Sequence, residues 1–177
     1  MSSDLKSAIR TIPDFPKEGI MFRDVTTLMG NPEAFADSIR QLVAPFKDSG
    51  IDKVAGIEAR GFIFGSVVAE QLGAGFVPLR KKGKLPGATV SETYELEYGT
   101  DELEMHVDAV EAGEKVLIID DLIATGGTAE AAIHLLTKAG AEIVSAAFVV
   151  DLPDLKGTER INALGIETHC LVAYEGH

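Results

Sequence analysis

A chain of 177 residues is enough for one domain that buries roughly 70% of its unfolded surface. Its 46% hydrophobic and 25% charged residues are ordinary for a globular fold, while a formal net charge of −12 disfavours a partner with a phosphate backbone. The lone Cys170 has no partner for an internal disulfide, and its apolar neighbourhood HCLVAY fits a packed thiol rather than a nucleophile.

The opening MSSDLKSAIR lacks the basic start and apolar core of a signal peptide, and no apolar run approaches the ~20 residues of a membrane span. A cytoplasmic protein with no membrane and no nucleic-acid partner is expected. Asn31, Pro32 and Glu33 supply a cap, a first-turn proline and a first-turn acid, and Phe35, Ile39, Leu42 and Val43 follow at helical spacing. KVAGIEARG then reads as a strand ending in a loop, FIFGSVVAEQLG as a helix closed by Gly73, and GFVPLR as a strand. Residues 81–90, KKGKLPGATV, carry two glycines, a proline and three lysines, which is poor material for a packed element and predicts a mobile loop. TYELEY alternates, with Tyr94, Leu96 and Tyr98 on one face and Glu95 and Glu97 on the other; after GTD, ELEMHV alternates again, so a hairpin is expected. The strand–helix–strand order returns as KVLIID, TAEAAIHLLTKAG closed by Gly140, and EIVSAAFVVD, with a last apolar run at THCLVAY. Strands alternating with helices predict an α/β fold, one domain over 1–177 with a mostly parallel sheet flanked by helices.

Ligands of such sheets bind beyond the carboxyl ends of the strands, and 118–132, IIDDLIATGGTAEAA, lies at one. Ala124, Thr125, Gly126, Gly127 and Thr128 can turn a row of backbone N–H groups and two hydroxyls toward one point, at the positive end of the following helix. That is a phosphate cradle. Without Gly-Lys-Ser/Thr it is not the nucleoside-triphosphate loop, and without Gly-x-Gly-x-x-Gly it is not a dinucleotide site, so a monophosphate suits it better. Asp120 and Asp121, just before it, are acceptors suited to the diol of a ribose.

VLIIDDLIATGGT resembles the phosphoribosyl-pyrophosphate motif of the type I phosphoribosyltransferases, and PDFPKEGIMFRDVT, EARGFIFG, RKKGKLPG and YELEYG resemble the adenine-using branch of that family. The resemblance covers nearly the whole chain. It implies the family's fold with a small hood and a lid loop and hairpin over about 81–107, and a purine-salvage transferase joining adenine to phosphoribosyl pyrophosphate, giving AMP and pyrophosphate. By resemblance, Asp120 and Asp121 contact the ribose hydroxyls and 124–128 bind the 5′-phosphate. EARG matches the pyrophosphate loop, often with a cis peptide before the arginine, here Glu58-Ala59. Serine is common in relatives where Ala59 stands, which leaves the backbone as the contact there, with Arg60 meeting the diphosphate charge.

Arg80, Lys81, Lys82 and Lys84 fall within five positions of an acidic chain, local basicity that suits a small polyanion. Arg80, Lys81 and Lys84 are the diphosphate candidates, and in the family the segment is a lid whose closure excludes water. Phe22 matches the aromatic that stacks on adenine, with the backbone of Met21 and Arg23 reading the amino-purine edge. Glu97 and Tyr98 match the lid's LEYG, the glutamate handling the proton at the purine. Mg²⁺ is expected on the substrate's own oxygens rather than in a protein cage, and His106, His134, His169 and His177 show no zinc spacing. The resemblance also implies a homodimer. Two rival readings stay open on sequence: a xanthine or hypoxanthine transferase, against which MFRD and LEYG argue, and a ligand-sensing regulator, for which the acidic chain leaves no length for a DNA-binding module.

Overall fold

The computed structural model describes residues 4–96 and 98–176. The N-terminal part holds short helix α1 (Leu5–Ala8), strands β1 (Arg10–Pro13) and β2 (Met21–Asp24), and helix α2 (Thr26–Met29). Only α3 (Pro32–Val43) in this part was legible from periodicity. Its start follows from chemistry: the Asn31 side chain accepts from the amides of Glu33 and Ala34 at 3.1 and 3.2 Å, and Pro32 gives up no hydrogen bond at the first helical position.

Strand β3 (Lys53–Ile57), helix α4 (Arg60–Leu72) and strand β4 (Gly75–Lys81) form the first parallel unit, with Gly73 ending α4 at φ 67°. Strands β5 (Thr89–Glu95) and β6 (Thr100–His106) are the hairpin; β7 (Lys115–Ile123), α5 (Gly127–Lys138) and β8 (Glu142–Asp151) form the second unit, followed by α6 (Gly157–Asn162) and β9 (Thr168–Ala173). The seven-stranded sheet runs β5-β6-β4-β3-β7-β8-β9, its central β4-β3-β7-β8-β9 ladder all parallel. Successive residues of β7 serve two cores, as a strand covered on both faces requires. Leu117 and Ile119 pack with Leu28, Leu42, Phe64 and Val68, while Val116 and Ile118 pack with Leu103, Met105, Leu135 and Ile161.

Two local expectations change. β5 stops at Glu95, where the Leu96 amide donates to the Gly99 carbonyl at 2.9 Å and Gly99 takes φ 93°. Tyr94, Leu96 and Tyr98 therefore do not share a strand face: Tyr94 is 8% exposed in the core and Tyr98 is 85% exposed in the turn. The expected hairpin is present, and β6 joins it to the main sheet through the pairs Arg80↔Glu104 and Lys81↔Leu103. Finally, β7 runs past Asp120 to Ile123, and β1 with β2 makes a separate two-stranded sheet, the hood, pairing Ile12 with Phe22 and Thr11 with Arg23.

Candidate active site

Beyond the carboxyl ends of β3 and β7 lies a cavity of about 440 Å³, in the usual range for a small-molecule site. Its wall includes Met21, Phe22 and Arg23 from β2, Ala59 and Arg60 at the start of α4, and Lys81 at the end of β4. Asp120, Asp121, Ala124, Thr125, Gly126 and Thr128 complete it from β7 and the turn into α5. Arg80, Lys84, Gly127 and Tyr98 are not in that wall; Gly127 faces a second hollow with Thr93, Glu130, His134 and Arg160. Glu97 lies outside the described residues.

The turn at 124–126 is shaped by close approach. Gly126, the residue before α5, has φ 88°, and a Cβ there would stand 3.1 Å from the Gly157 carbonyl oxygen. Gly157 is tighter still: its Cβ would meet the Ala124 carbonyl oxygen at 2.4 Å. Only paired glycines let α6 back the loop this closely. Arg160 of α6 adds a tether, donating to the Thr125 carbonyl at 3.5 Å and pairing with Glu130 of α5. The first amides of a helix have no helical acceptor, and Thr128, in the first turn of α5, lies in the cavity wall, an arrangement suited to an anion.

Toward the end of β7, Asp120 and Asp121 are linked by the Asp121 amide, which donates to Asp120 Oδ1 at 2.8 Å. Burial, reinforced by the neighbouring Asp121 charge, pushes the Asp120 carboxyl well above the usual carboxylate range. Arg60 Nε donates to Asp121 Oδ2 at 2.6 Å; burial works against the guanidinium charge, but that hydrogen bond and the charges of Asp121, Asp120 and Asp24 raise its pKa on balance. Gly61 makes the contact possible, since a Cβ would come within 2.9 Å of Asp120 Oδ1. The peptide Glu58-Ala59, just before Arg60, is cis.

The aromatic wall is braced. The Phe22 ring meets Phe15 edge-on at 5.1 Å, with the Arg60 guanidinium 6.0 Å from its centroid. Arg23 points elsewhere, its guanidinium 4.3 Å over the Tyr174 ring and NH1 donating to Thr11 Oγ1 at 2.7 Å, leaving its backbone to face the cavity. Sequence reading assigns no part to Phe15, Gly61, Gly157, Arg160 or Glu58. Glu58 had a signal, standing inside EARG; Gly157 and Arg160 had none, because α6 meets the loop only through tertiary packing.

A phosphoribosyl transferase domain model matches residues 27–170. An adenine phosphoribosyltransferase of Agrobacterium fabrum is 62% identical over 177 residues, spanning 100% of this chain and 98% of the relative. The crystal structure of adenine phosphoribosyltransferase from Rhodothermus marinus is similar at 54% identity and TM-score 0.91, covering 96% of each chain. That of the Saccharomyces cerevisiae enzyme, complexed with an imino-altritol bisphosphate and adenine, is 42% identical with TM-score 0.89, covering 96% of this chain and 97% of the other. With the parallel sheet, the glycine-backed anion turn and the acidic pair before it, these likenesses show that the chain belongs to the phosphoribosyltransferase family, in its adenine phosphoribosyltransferase branch.

Proposed function

We propose that this cavity transfers the 5-phosphoribosyl group from phosphoribosyl pyrophosphate to adenine, giving AMP and pyrophosphate in purine salvage. The observation that carries the reading is the convergence of an anion turn, an acidic pair, a cationic strand end and an aromatic strand on one cavity. In this reading 124–128 hold the 5′-phosphate and Asp120 with Asp121 accept from the ribose hydroxyls. The backbone of Ala59 with Arg60, Arg80, Lys81 and Lys84 serves the pyrophosphate, and Met21, Phe22 and Arg23 hold the base.

The step is a displacement at the anomeric carbon. The bond from that carbon to the purine nitrogen forms as the bond to the diphosphate oxygen breaks, and pyrophosphate leaves with the electron pair while the ribose ring carries positive charge. The chain's work is alignment, stabilisation of the leaving group by cations, and removal of the purine N–H proton, which Glu97 accepts. Tyr98, next in sequence, belongs to the lid that closes over the base.

Among the described residues no cluster of three or more His, Cys, Asp or Glu is arranged to hold a metal ion, and Asp121 is already engaged by Arg60. In this reading Mg²⁺ would be carried mainly on the substrate's own oxygens and water, with Asp120 and Asp121 the nearest acids of the chain. When bound, the ion neutralises charge on the departing diphosphate. A homodimer and a cytoplasmic setting complete the reading; sedimentation of the active protein tests the first, and a fully active 18.8 kDa monomer would exclude it.

The deciding assay supplies phosphoribosyl pyrophosphate, Mg²⁺ and each common purine base. AMP from adenine is expected. Hypoxanthine should be poorer by about 10⁴-fold, because a backbone carbonyl placed for the 6-amino donor would face a 6-oxo acceptor. Comparable turnover of hypoxanthine would refute the base assignment.

A further inference from the structure

We propose that Glu58 is a positioning residue that gathers Arg80, Lys81 and Lys84 into one cradle for the diphosphate, a role that rests on the pyrophosphate reading of those cations. Its carboxylate is the shared acceptor of the segment. Oε1 accepts from the Lys81 amide at 2.6 Å and lies 3.5 Å from Arg80 Nε, while Oε2 accepts from Lys84 Nζ at 2.9 Å. The Glu58 amide in turn donates to the Leu79 carbonyl at 3.0 Å, so the residue is tied to β4 by backbone and side chain together.

Other acids also touch this segment. Asp101 lies 3.6 Å from Lys81 Nζ, Glu102 3.8 Å from Lys82 Nζ, and Glu104 Oε1 accepts from the Gly83 amide at 2.7 Å. All three belong to β6, and none is in the cavity wall, whereas Glu58 is. Glu58 therefore meets the segment from the cavity wall, while the β6 acids meet it at Lys81, Lys82 and Gly83 from outside that wall.

Environment separates this carboxylate from a solvated ion-pair partner. The Glu58 side chain is 8% exposed although Lys84 is 50% exposed, so water competes poorly for the acceptor. Burial alone would push its pKa up, but the Lys84 hydrogen bond, the Lys81 amide and the charges of Lys84 and Arg80 outweigh it and leave the group ionised. A buried carboxylate with two donors and an ion-pair partner in one five-residue stretch fixes the approach of that stretch, because each partner lost leaves the charge less compensated.

The test titrates Mg²⁺-pyrophosphate into wild type, Glu58→Gln, Glu58→Ala, Lys84→Met and the Glu58→Gln/Lys84→Met double variant by calorimetry, alongside steady-state kinetics. Glu58→Gln keeps an oxygen for the Lys81 amide but turns an NH₂ toward Lys84. It should weaken pyrophosphate binding about tenfold, and Glu58→Ala more, with KM for phosphoribosyl pyrophosphate rising in parallel and KM for adenine within about twofold. In the Lys84→Met background the Gln substitution should change binding by clearly less than in wild type, because the part of its effect that passes through Lys84 is already gone while the Arg80 pairing is still lost. Unchanged or tighter pyrophosphate binding by Glu58→Gln would overturn the proposal, as would full additivity with Lys84→Met. Should Glu58→Ala not fold, the isosteric Gln variant carries the result. Binding is read without turnover, so Glu58-dependent pyrophosphate binding in a protein that makes no AMP would refute the reaction and leave the role of Glu58 standing.

Discussion

Replacing Gly157 by alanine tests whether α6 sets the position of the anion turn. The added Cβ would lie 2.4 Å from the Ala124 carbonyl oxygen, 2.7 Å from Ile123 Cγ1 and 3.1 Å from the Gly126 nitrogen. Ordinary contact begins near 3.4 Å, so the turn must retreat by about 1 Å. The helix cannot easily slide away instead, because Arg160 is tied to both Thr125 and Glu130. On stability the effects oppose: overpacking costs about 1–3 kcal/mol, and alanine in place of glycine in a helix returns up to about 1 kcal/mol. On function they do not, since a misplacement of ~1 Å can cost ~10²-fold. Gly157→Ala is therefore expected to raise KM for phosphoribosyl pyrophosphate about 10- to 100-fold, with KM for adenine within about twofold and a net stability loss of about 0–3 kcal/mol. Initial rates of AMP formation and a calorimetric melt measure these quantities. An unchanged KM for phosphoribosyl pyrophosphate in a folded variant would show that α6 does not define the turn.

Within the turn, Gly126→Ala should weaken phosphoribosyl pyrophosphate binding more than Gly127→Ala, because Gly126 has φ 88° and a 3.1 Å neighbour whereas a Cβ on Gly127 meets nothing closer than 3.8 Å; equal affinities would count against this turn as the phosphate site. Glu97→Gln should lower kcat by roughly 10²-fold with a much smaller change in phosphoribosyl pyrophosphate affinity, and Glu95→Gln should change little. Wild-type kcat in Glu97→Gln would leave catalysis to alignment and leaving-group stabilisation. Asp24 is lowered to about 2 by hydrogen bonds from Thr26 and Arg10, so its stabilisation of about 2 kcal/mol is complete above the unfolded pKa and lost as pH falls from ~4 through about 2. Denaturant titrations of Asp24→Asn should show that deficit at pH 7 and its disappearance near pH 2; a constant difference would refute the linkage.

Legibility from sequence followed locality. α3 carries its cap and periodicity and α4 and α5 their closing glycines Gly73 and Gly140, and the β7 strand with its acidic pair and glycine turn is one continuous signal. The hood strands are too short for a period: β1 and β2 have four residues each, and their reason for being strands is each other, across a loop with no hydrophobic pattern. The face expected for Tyr94, Leu96 and Tyr98 failed because Gly99 at φ 93° lets the chain reverse early, a choice alternation does not encode. At the site, residues with their own chemistry were legible, namely Asp120, Asp121, Thr125 and Arg60. Gly157 was not, since its importance lies in the Ala124 carbonyl that a Cβ there would meet, and Glu58, although it stands in EARG, matters through the Lys81 amide and Lys84 on a segment distant in sequence.

Charge balance links these distant segments. Several site cations already face an acid: Arg60 faces Asp121, Arg80 and Lys84 face Glu58, and Lys81 faces Asp101. A half-buried cationic pocket without such partners would repel itself and carry an uncompensated desolvation cost, so the pairs stabilise the free protein. They also shape binding in the proposed reaction. Were a ribose diol to occupy Asp121 as proposed, the Arg60 guanidinium would lose part of its acceptor and be left to pair with the diphosphate. Sugar and diphosphate are then recognised together, because each frees or supplies the partner that the other needs. A ribose 5-phosphate without the diphosphate leaves Arg60 competing for Asp121, and free pyrophosphate leaves Asp120 and Asp121 facing each other without hydroxyls. The acidity of the chain as a whole thus does not oppose a polyanionic substrate; acids at Asp121, Glu58 and Asp101 are what hold the cations ready for it.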